Sequence, residues 1–114
     1  MDEARPRPAV AVVDDDPAQR ILLRNALEAA GFAVAECATG AEALARGAAC
    51  DLMLLDVRLP DLGGLEVLAR LQQTERPPRV MLLTAYMDLR DAVAAVKAGA
   101  LDYLEKPVDL DELL

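Results

Sequence analysis

Four short apolar runs of this chain each end on residues that can do chemistry. After "VAVV" come Asp14 and Asp15, with Asp16 beside them. After "LMLL" comes Asp56, after "VMLL" comes Thr84, and after "LDYLE" comes Lys106, followed by Pro107. If the fold gathers these run ends, three carboxylates share one site with one ammonium and one hydroxyl. Two carboxylates ~4 Å apart repel by about 4 kcal/mol at an effective dielectric of about 20. A third makes this worse, and one lysine does not neutralise them. Such a cluster needs a hard divalent cation, or it must take up protons. Oxygen ligands without His or Cys select Mg²⁺, Mn²⁺ or Ca²⁺ over zinc. Mg²⁺ usually takes one or two carboxylates, keeps several waters and adds phosphate oxygens of a substrate. A cation, an ammonium and a hydroxyl together suit a phosphoryl group. Asp56 can then act as the nucleophile, because carboxylates form aspartyl phosphates. Taken singly, each residue also has a structural reading: Asp16 as a helix cap, Thr84 as a turn residue, Lys106 as a solvated charge. The right chemistry at four run ends favours the phosphoryl site.

The elements that must position these residues alternate along the chain. Residues 9–13 form a first β-branched strand. Residues 17–30 have helical period, with Asp16 as cap, Pro17 at the first position and Gly31 past the end. Leu22, Leu23, Ala26, Leu27 and Ala30 fall on one stripe. "FAVAE" (32–36) is the second strand, which offers only Glu36 and Cys37 at its end. Residues 39–47 form a short helix, with Thr39 and Glu42 at capping-box spacing. Residues 51–56 are the third strand, 59–64 a loop, and 64–73 a helix stopped by "RPP" (76–78). Residues 79–84 are the fourth strand. Residues 86–98 form a helix with Leu89, Ala92, Val93 and Val96 on one face and Gly99 after it. Residues 101–105 are the fifth strand, and "VDLDELL" begins a last helix, cut short.

The strands are continuously apolar, as expected of a parallel sheet with helices on both faces. Right-handed crossovers leave the flavodoxin-like, doubly wound order 2-1-3-4-5 as the natural candidate, with its site at the carboxyl ends of the strands. In that order strands one, three, four and five are neighbours, so the run ends converge.

The chain has 114 residues and a net charge of −8. This acidity argues against direct contact with nucleic acid and is compatible with a cation or a basic partner. The 54% hydrophobic content argues against disorder. With no histidine, His-based triads and His-bound zinc are excluded. Two isolated thiols, Cys37 and Cys50, read as core fillers in a reducing compartment. No run approaches the ~20 apolar residues of a membrane span, so the reading is cytoplasmic, with no membrane partner. Residues 1–8 are expected to be a disordered lead, 9–114 the domain, and the short last helix suggests one module of a longer chain.

The sequence resembles the receiver domain of bacterial two-component response regulators over almost its whole length. The resemblance rests on "VVDDDP", "LLDVRLPDLGG", "LLTAYMDLRDAV" and "AGALDYLEKPVD". "GALDYLEKPVDLDEL" is most similar to receivers of the NtrC type, the sigma-54-dependent activators. The resemblance implies that Asp56 is the phosphoacceptor, loaded by a sensor histidine kinase. It implies Mg²⁺, or Mn²⁺ in its place, held by Asp15, Asp56 and the Arg58 carbonyl, with Asp14 acting mainly through water. Thr84 is then the switch hydroxyl, Tyr103 the switch aromatic, and Lys106 a phosphoryl contact. Pro107 follows a cis peptide bond. Partners are a C-terminal effector, expected to be transcriptional, and a second copy across the face of the fourth helix, fifth strand and fifth helix. Arg58 and Tyr86 flank the site and are expected to slow phosphate loss.

Two other classes compete. A Mg²⁺-dependent phosphatase working through an aspartyl phosphate generally has an acid two residues after the nucleophile; here that position is Arg58. An interaction module that no longer takes phosphate usually lacks the acceptor, an acid or the lysine, and all three are present. The domain is therefore read as a signalling switch and not as an enzyme.

Overall fold

A computed structural model of the chain describes residues 7–84, 93, 94 and 96–106, apart from the side chain of Tyr103. The expected last helix, Pro107, Tyr86, Leu89 and Ala92 lie outside the described residues. Five parallel strands stand in the order β2-β1-β3-β4-β5, the flavodoxin-like order. They are β1 (Ala9–Val13), β2 (Ala33–Cys37), β3 (Leu52–Asp56), β4 (Arg79–Thr84) and β5 (Asp102–Glu105). Among the described residues the helices include α1 (Pro17–Ala29), α2 (Gly40–Arg46) and α3 (Gly64–Leu71), and a 3-10 turn, Gly47–Ala49, follows α2.

The central strands β1, β3 and β4 are apolar on both faces because each face has its own cover, whereas the edge strands β2 and β5 carry Glu36, Asp102 and Glu105 and are not continuously apolar. Val10 and Val12 turn to one side, where they meet Leu54, Leu83, Leu104 and the α1 residues Leu23 and Leu27. Ala11 and Val13 turn to the other, with Met53, Leu55, Val80 and Leu82, beneath Ala43 of α2 and Val67, Leu68 and Leu71 of α3. Burial of each such Leu or Val contributes about 1.5–3 kcal/mol.

The local signals act as their chemistry requires. The Asp16 carboxylate accepts from the Ala18 amide, and Pro17 opens α1. Gly31 takes φ 100° just beyond it. Thr39 Oγ1 accepts from the Glu42 amide, whereas Glu42 reaches back to the Ala38 amide, one residue earlier than a capping box has it. Several boundaries move by one or two residues. β2 runs from Ala33 to Cys37 because its register with β1 begins at Ala9↔Ala33. Asp51 lies outside β3, where its carboxylate accepts from the Ala9 amide. α3 ends at Leu71.

The apolar faces are covered unevenly. On α1 only Leu23 and Leu27 are fully buried, while Leu22 is 54% exposed and Ala30 is also exposed. One ridge four residues apart meets the flat sheet, and its neighbour at 22 turns about 100° away. Residues 93, 94, 96 and 97 are helical and a positive-φ Gly99 follows, as expected. Val93 and Val96 are nonetheless exposed; Ala98 and Ala100 are the residues here that pack on the core. Among the described residues, no helix is long and apolar enough to cross a membrane.

Candidate functional site

The sheet ladder delivers the polar residues to one place. The Asp14 amide donates to Cys37 O (3.0 Å), which carries the β1–β2 pairing one step past β1. The Val57 amide donates to Leu83 O (2.9 Å), and the Lys106 amide to Thr84 O. Asp14, Asp56, Thr84 and Lys106 therefore leave neighbouring strands at the same end of the sheet.

Asp14 and Asp56 are buried, 0% and 6% exposed, and Thr84 is buried beside them at the end of β4. Lys106 Nζ donates to Asp14 Oδ2 at 2.7 Å and to Asp56 Oδ2 at 2.8 Å. The other oxygen of each carboxylate accepts an amide two residues on: Asp16 N on Asp14 Oδ1, Arg58 N on Asp56 Oδ1, both at 3.0 Å. These are Asx turns, which fix the carboxylates against their own backbone. Asp15 is exposed alongside.

The charges leave a deficit. Two buried carboxylates share one ammonium, and Asp15 adds a further negative charge. Burial pushes the Asp56 carboxyl above the ordinary carboxylate range. The Lys106 contact and the Arg58 amide oppose that shift, and the Asp14 charge reinforces it. Burial pulls Lys106 down, but the Asp14 and Asp56 carboxylates outweigh it, and its ammonium is held above its usual value.

Asp14, Asp15 and Asp56 each offer a carboxylate oxygen within 4.8 Å of the others. This set could hold a metal ion, and its all-oxygen chemistry suits Mg²⁺, Mn²⁺ or Ca²⁺. The donors thus fit the cation expected from sequence.

The loop after Asp56 is packed tightly. The Gly64 amide donates to Val57 O, and Arg58 forms an isolated bridge with Gly63. A Cβ on Gly64 would lie 2.5 Å from Asp56 O and 2.7 Å from Val57 Cα. Only glycine permits this approach. Asp61, in the same loop, accepts from the Gly40 and Ala41 amides at the start of α2 (2.7 and 3.0 Å). Those bonds hold the Asp61 carboxyl below its usual range.

The structure thus brings Asp14, Asp15, Asp56 and Lys106 together and sets Thr84 on the adjoining strand end. Asp16 is the α1 cap. The Arg58 amide, and with it the loop, is tied to Asp56. Tyr103 pairs in register with Leu82 on β4. Cys37 is buried and its thiol is pushed up to about 11 by burial, in keeping with a core filler.

The sequence reasoning missed Arg20, Glu36 and Asp61. Arg20 Nη1 donates to Asp14 O at 2.6 Å, and its Nε to Glu36 Oε1 at 3.2 Å. Glu36 also pairs with Arg24 (2.8 Å). Its signal was available: a carboxylate within an otherwise apolar strand, opposite two arginines four apart on a helix.

Comparison with known proteins agrees with this geometry. The model of the response regulator receiver domain matches residues 10–114. The DNA-binding transcriptional regulator NtrC of Escherichia coli is 42% identical over 108 residues, 93% of this chain but 23% of that protein. The acid tolerance regulatory protein ActR of Rhizobium meliloti is 40% identical over 111 residues, 96% of this chain and 57% of its own length. A CheY-like receiver domain from Methanospirillum hungatei superimposes with a TM-score of 0.88 at 32% identity, over 95% of this chain and 88% of that one. A response regulator from Burkholderia pseudomallei, solved with a phosphorylated aspartic acid, a calcium ion and citrate, gives 0.85 at 31% identity, over 93% of this chain and 64% of its own. The chain spans under a quarter of NtrC and little more than half of ActR. Five parallel strands in this order, the buried acids at their ends and these matches lead to one assignment: the chain belongs to the receiver domains of two-component response regulators.

Proposed function

We propose that the domain is a phosphoacceptor switch that takes a phosphoryl group on Asp56 from a sensor histidine kinase, in a Mg²⁺-dependent reaction. The observation that carries this reading is the buried Asp14–Lys106–Asp56 array with Asp15 beside it. An Asp56 carboxylate oxygen attacks phosphorus. The O–P bond forms as the N–P bond of the kinase phosphohistidine breaks, and the bonding pair leaves with the imidazole nitrogen. Asp14, Asp15, Asp56 and the Arg58 carbonyl would hold Mg²⁺, or Mn²⁺ in its place. The bound cation would supply positive charge to the phosphoryl oxygens. Lys106, already on Asp56, neutralises another of those oxygens, and the Thr84 hydroxyl donates to a third.

Phosphorylation adds about −2 charge at Asp56. Thr84 moves to bond it, and Tyr103 fills the space left behind. The two states pre-exist, and the phosphoryl group shifts their populations. The output is control of an attached effector, transcriptional by analogy with NtrC, or pairing of two copies. Arg58 and Tyr86 hinder the attacking water and lengthen the life of the phosphate.

The test is intact mass after incubation with acetyl phosphate, with and without Mg²⁺, for the native chain and Asp56→Ala. A Mg²⁺-dependent gain of one phosphoryl group, absent in the variant, is the expected result. A gain that persists in Asp56→Ala overturns the assignment of the acceptor.

A further inference from the structure

We propose that Arg20, held in place by Glu36, is a positioning residue for the acidic site. It fixes the peptide unit between Asp14 and Asp15. The proposal rests on the phosphoacceptor reading and adds a residue to it.

The Asp14 backbone is gripped on both sides. Its amide donates to Cys37 O of β2 at 3.0 Å. Its carbonyl accepts from Arg20 Nη1 at 2.6 Å. A peptide unit is planar, so the carbonyl of Asp14 and the amide of Asp15 turn together. Fixing that oxygen fixes the plane from which Asp15 departs, and Asp15 has no strand partner of its own to do so. Asp14 itself is anchored by Lys106 and the Asp16 amide. The exposed acid therefore depends on the guanidinium more than the buried one does.

Arg20 is itself held. Its Nε meets Glu36 Oε1 at 3.2 Å, and the two side chains are 17% and 24% exposed. Glu36 pairs in register with Val12 and precedes Cys37, the residue that takes the Asp14 amide. β2 thus holds Asp14 twice, once through Cys37 O and once through the Glu36–Arg20 pair. The geometry needs a fork: one end of the guanidinium on a carbonyl, the other on a carboxylate. An ammonium offers a single point and cannot serve both in this way. Arg24 also meets Glu36, at 2.8 Å, and so shares in holding it. The Arg70–Glu66 pair of α3 differs: its side chains are 55% and 52% exposed, and it reads as an ordinary surface pair.

The sign of one measurement separates positioning from simple charge. Arg20 is a cation beside an acidic site. By field alone, Arg20→Gln should tighten Mg²⁺ binding. By positioning, it should loosen it. The experiment is a Mg²⁺ titration followed by the backbone amide shifts of Asp15 and Val57, at constant ionic strength. It uses the native chain, Arg20→Gln, Arg20→Lys, Glu36→Gln, the Arg20→Gln, Glu36→Gln double variant and, as control, Arg70→Gln. Thermal unfolding without metal is recorded for each.

Arg20→Gln and Arg20→Lys should weaken Mg²⁺ by about tenfold, the lower end of what second-layer partners of metal ligands do. Glu36→Gln should weaken it in the same direction, and the Arg20→Gln, Glu36→Gln double variant no further than Arg20→Gln alone. Arg70→Gln should stay within about twofold of native. Unchanged or tighter binding in Arg20→Gln, with the native chain binding normally, overturns the proposal. So does a variant that loses thermal stability yet binds Mg²⁺ like the native chain, because that is an ordinary structural ion pair. A native chain that binds no Mg²⁺ overturns the phosphoacceptor reading itself, and this inference with it.

Discussion

Lys106 Nζ stands 2.7 Å from Asp14 Oδ2 and 2.8 Å from Asp56 Oδ2, so one ammonium bridges two buried carboxylates that lie 92 and 50 residues away in sequence. The bridge leaves one of the two negative charges uncompensated. Metal-free, the folded domain holds this excess at a cost. The cost is largest where both carboxylates are ionised.

Asp56→Asn should therefore stabilise the metal-free domain. The folded carboxyl lies above its usual value of 3.8, so the folded state keeps its proton to higher pH than the unfolded chain. Stability falls as pH rises through that window. At pH 7 the variant should be the more stable of the two, and the gain should vanish below the unfolded carboxylate value, where the group is protonated in both states. Urea unfolding at pH 7 and pH 3.5 checks this. Equal stability at pH 7 would show that Lys106 alone balances the pair.

Mg²⁺ should stabilise the native chain by mass action. At a hundredfold excess over Kd the gain is about 2.7 kcal/mol, and a chelator should reverse it. The same addition should do much less for Asp15→Asn or Asp56→Asn. The measurement is the unfolding midpoint with and without the metal.

Gly64→Ala should damage the site without touching any polar group in it. The new Cβ would meet backbone, 2.5 Å from Asp56 O. Backbone cannot step aside as a side-chain tip can. We expect a loss of about 1–3 kcal/mol, as for overpacked cores. Phosphoryl uptake should slow as well, because the end of β3 must move. Full uptake in a destabilised variant would show that the acceptor tolerates the shift.

Asp61→Asn should loosen the tie between the loop after Asp56 and α2. The folded carboxyl lies below its usual 3.8, so its contribution is present above that value and is lost as pH falls through the folded one. The variant should unfold at lower temperature than native at pH 7, and the difference should close on acidification below pH 3.8. A gap that is constant with pH would assign the loss to shape and not to charge.

The thiols should be slow. Cys37 is pushed up to about 11, and Cys50 is also raised, in both cases chiefly by burial. At pH 8 only about a thousandth of Cys37 is thiolate, so a thiol reagent should label it far more slowly than it labels the urea-unfolded chain. Rapid labelling of folded Cys37 would show that the edge of the sheet opens.

The centre of the site was legible in sequence and its supports were not, for a physical reason. Asp14, Asp56, Thr84 and Lys106 each end an apolar run, and the strand order follows from chain connectivity, so their meeting can be worked out with two local rules. Arg20 and Asp61 act across the gap between elements. Their partners at the site are a backbone carbonyl and two backbone amides, which carry no residue identity to read; of the two, only Arg20 also meets a side chain that does, Glu36. The Asp61 bonds span 21 and 20 residues and depend on where one loop settles over a helix end. Leu22 shows the same limit on a helix face. A 3.6-residue period cannot separate it from Leu23, and only the angle at which α1 lies on the sheet does so.

The order in which the residues of the bridge are made has a further consequence. A ribosome completes Asp14 and Asp56 long before it reaches Lys106, which follows the last strand. Until then the two acids have no ammonium between them, and β4 has not gained its neighbour β5. A chain cut short before residue 106 would lack both the counter-charge and the edge of the sheet. Placing the lysine last makes a complete site a property of chains translated through the whole sheet, so prematurely terminated fragments would lack the Asp14–Lys106–Asp56 bridge.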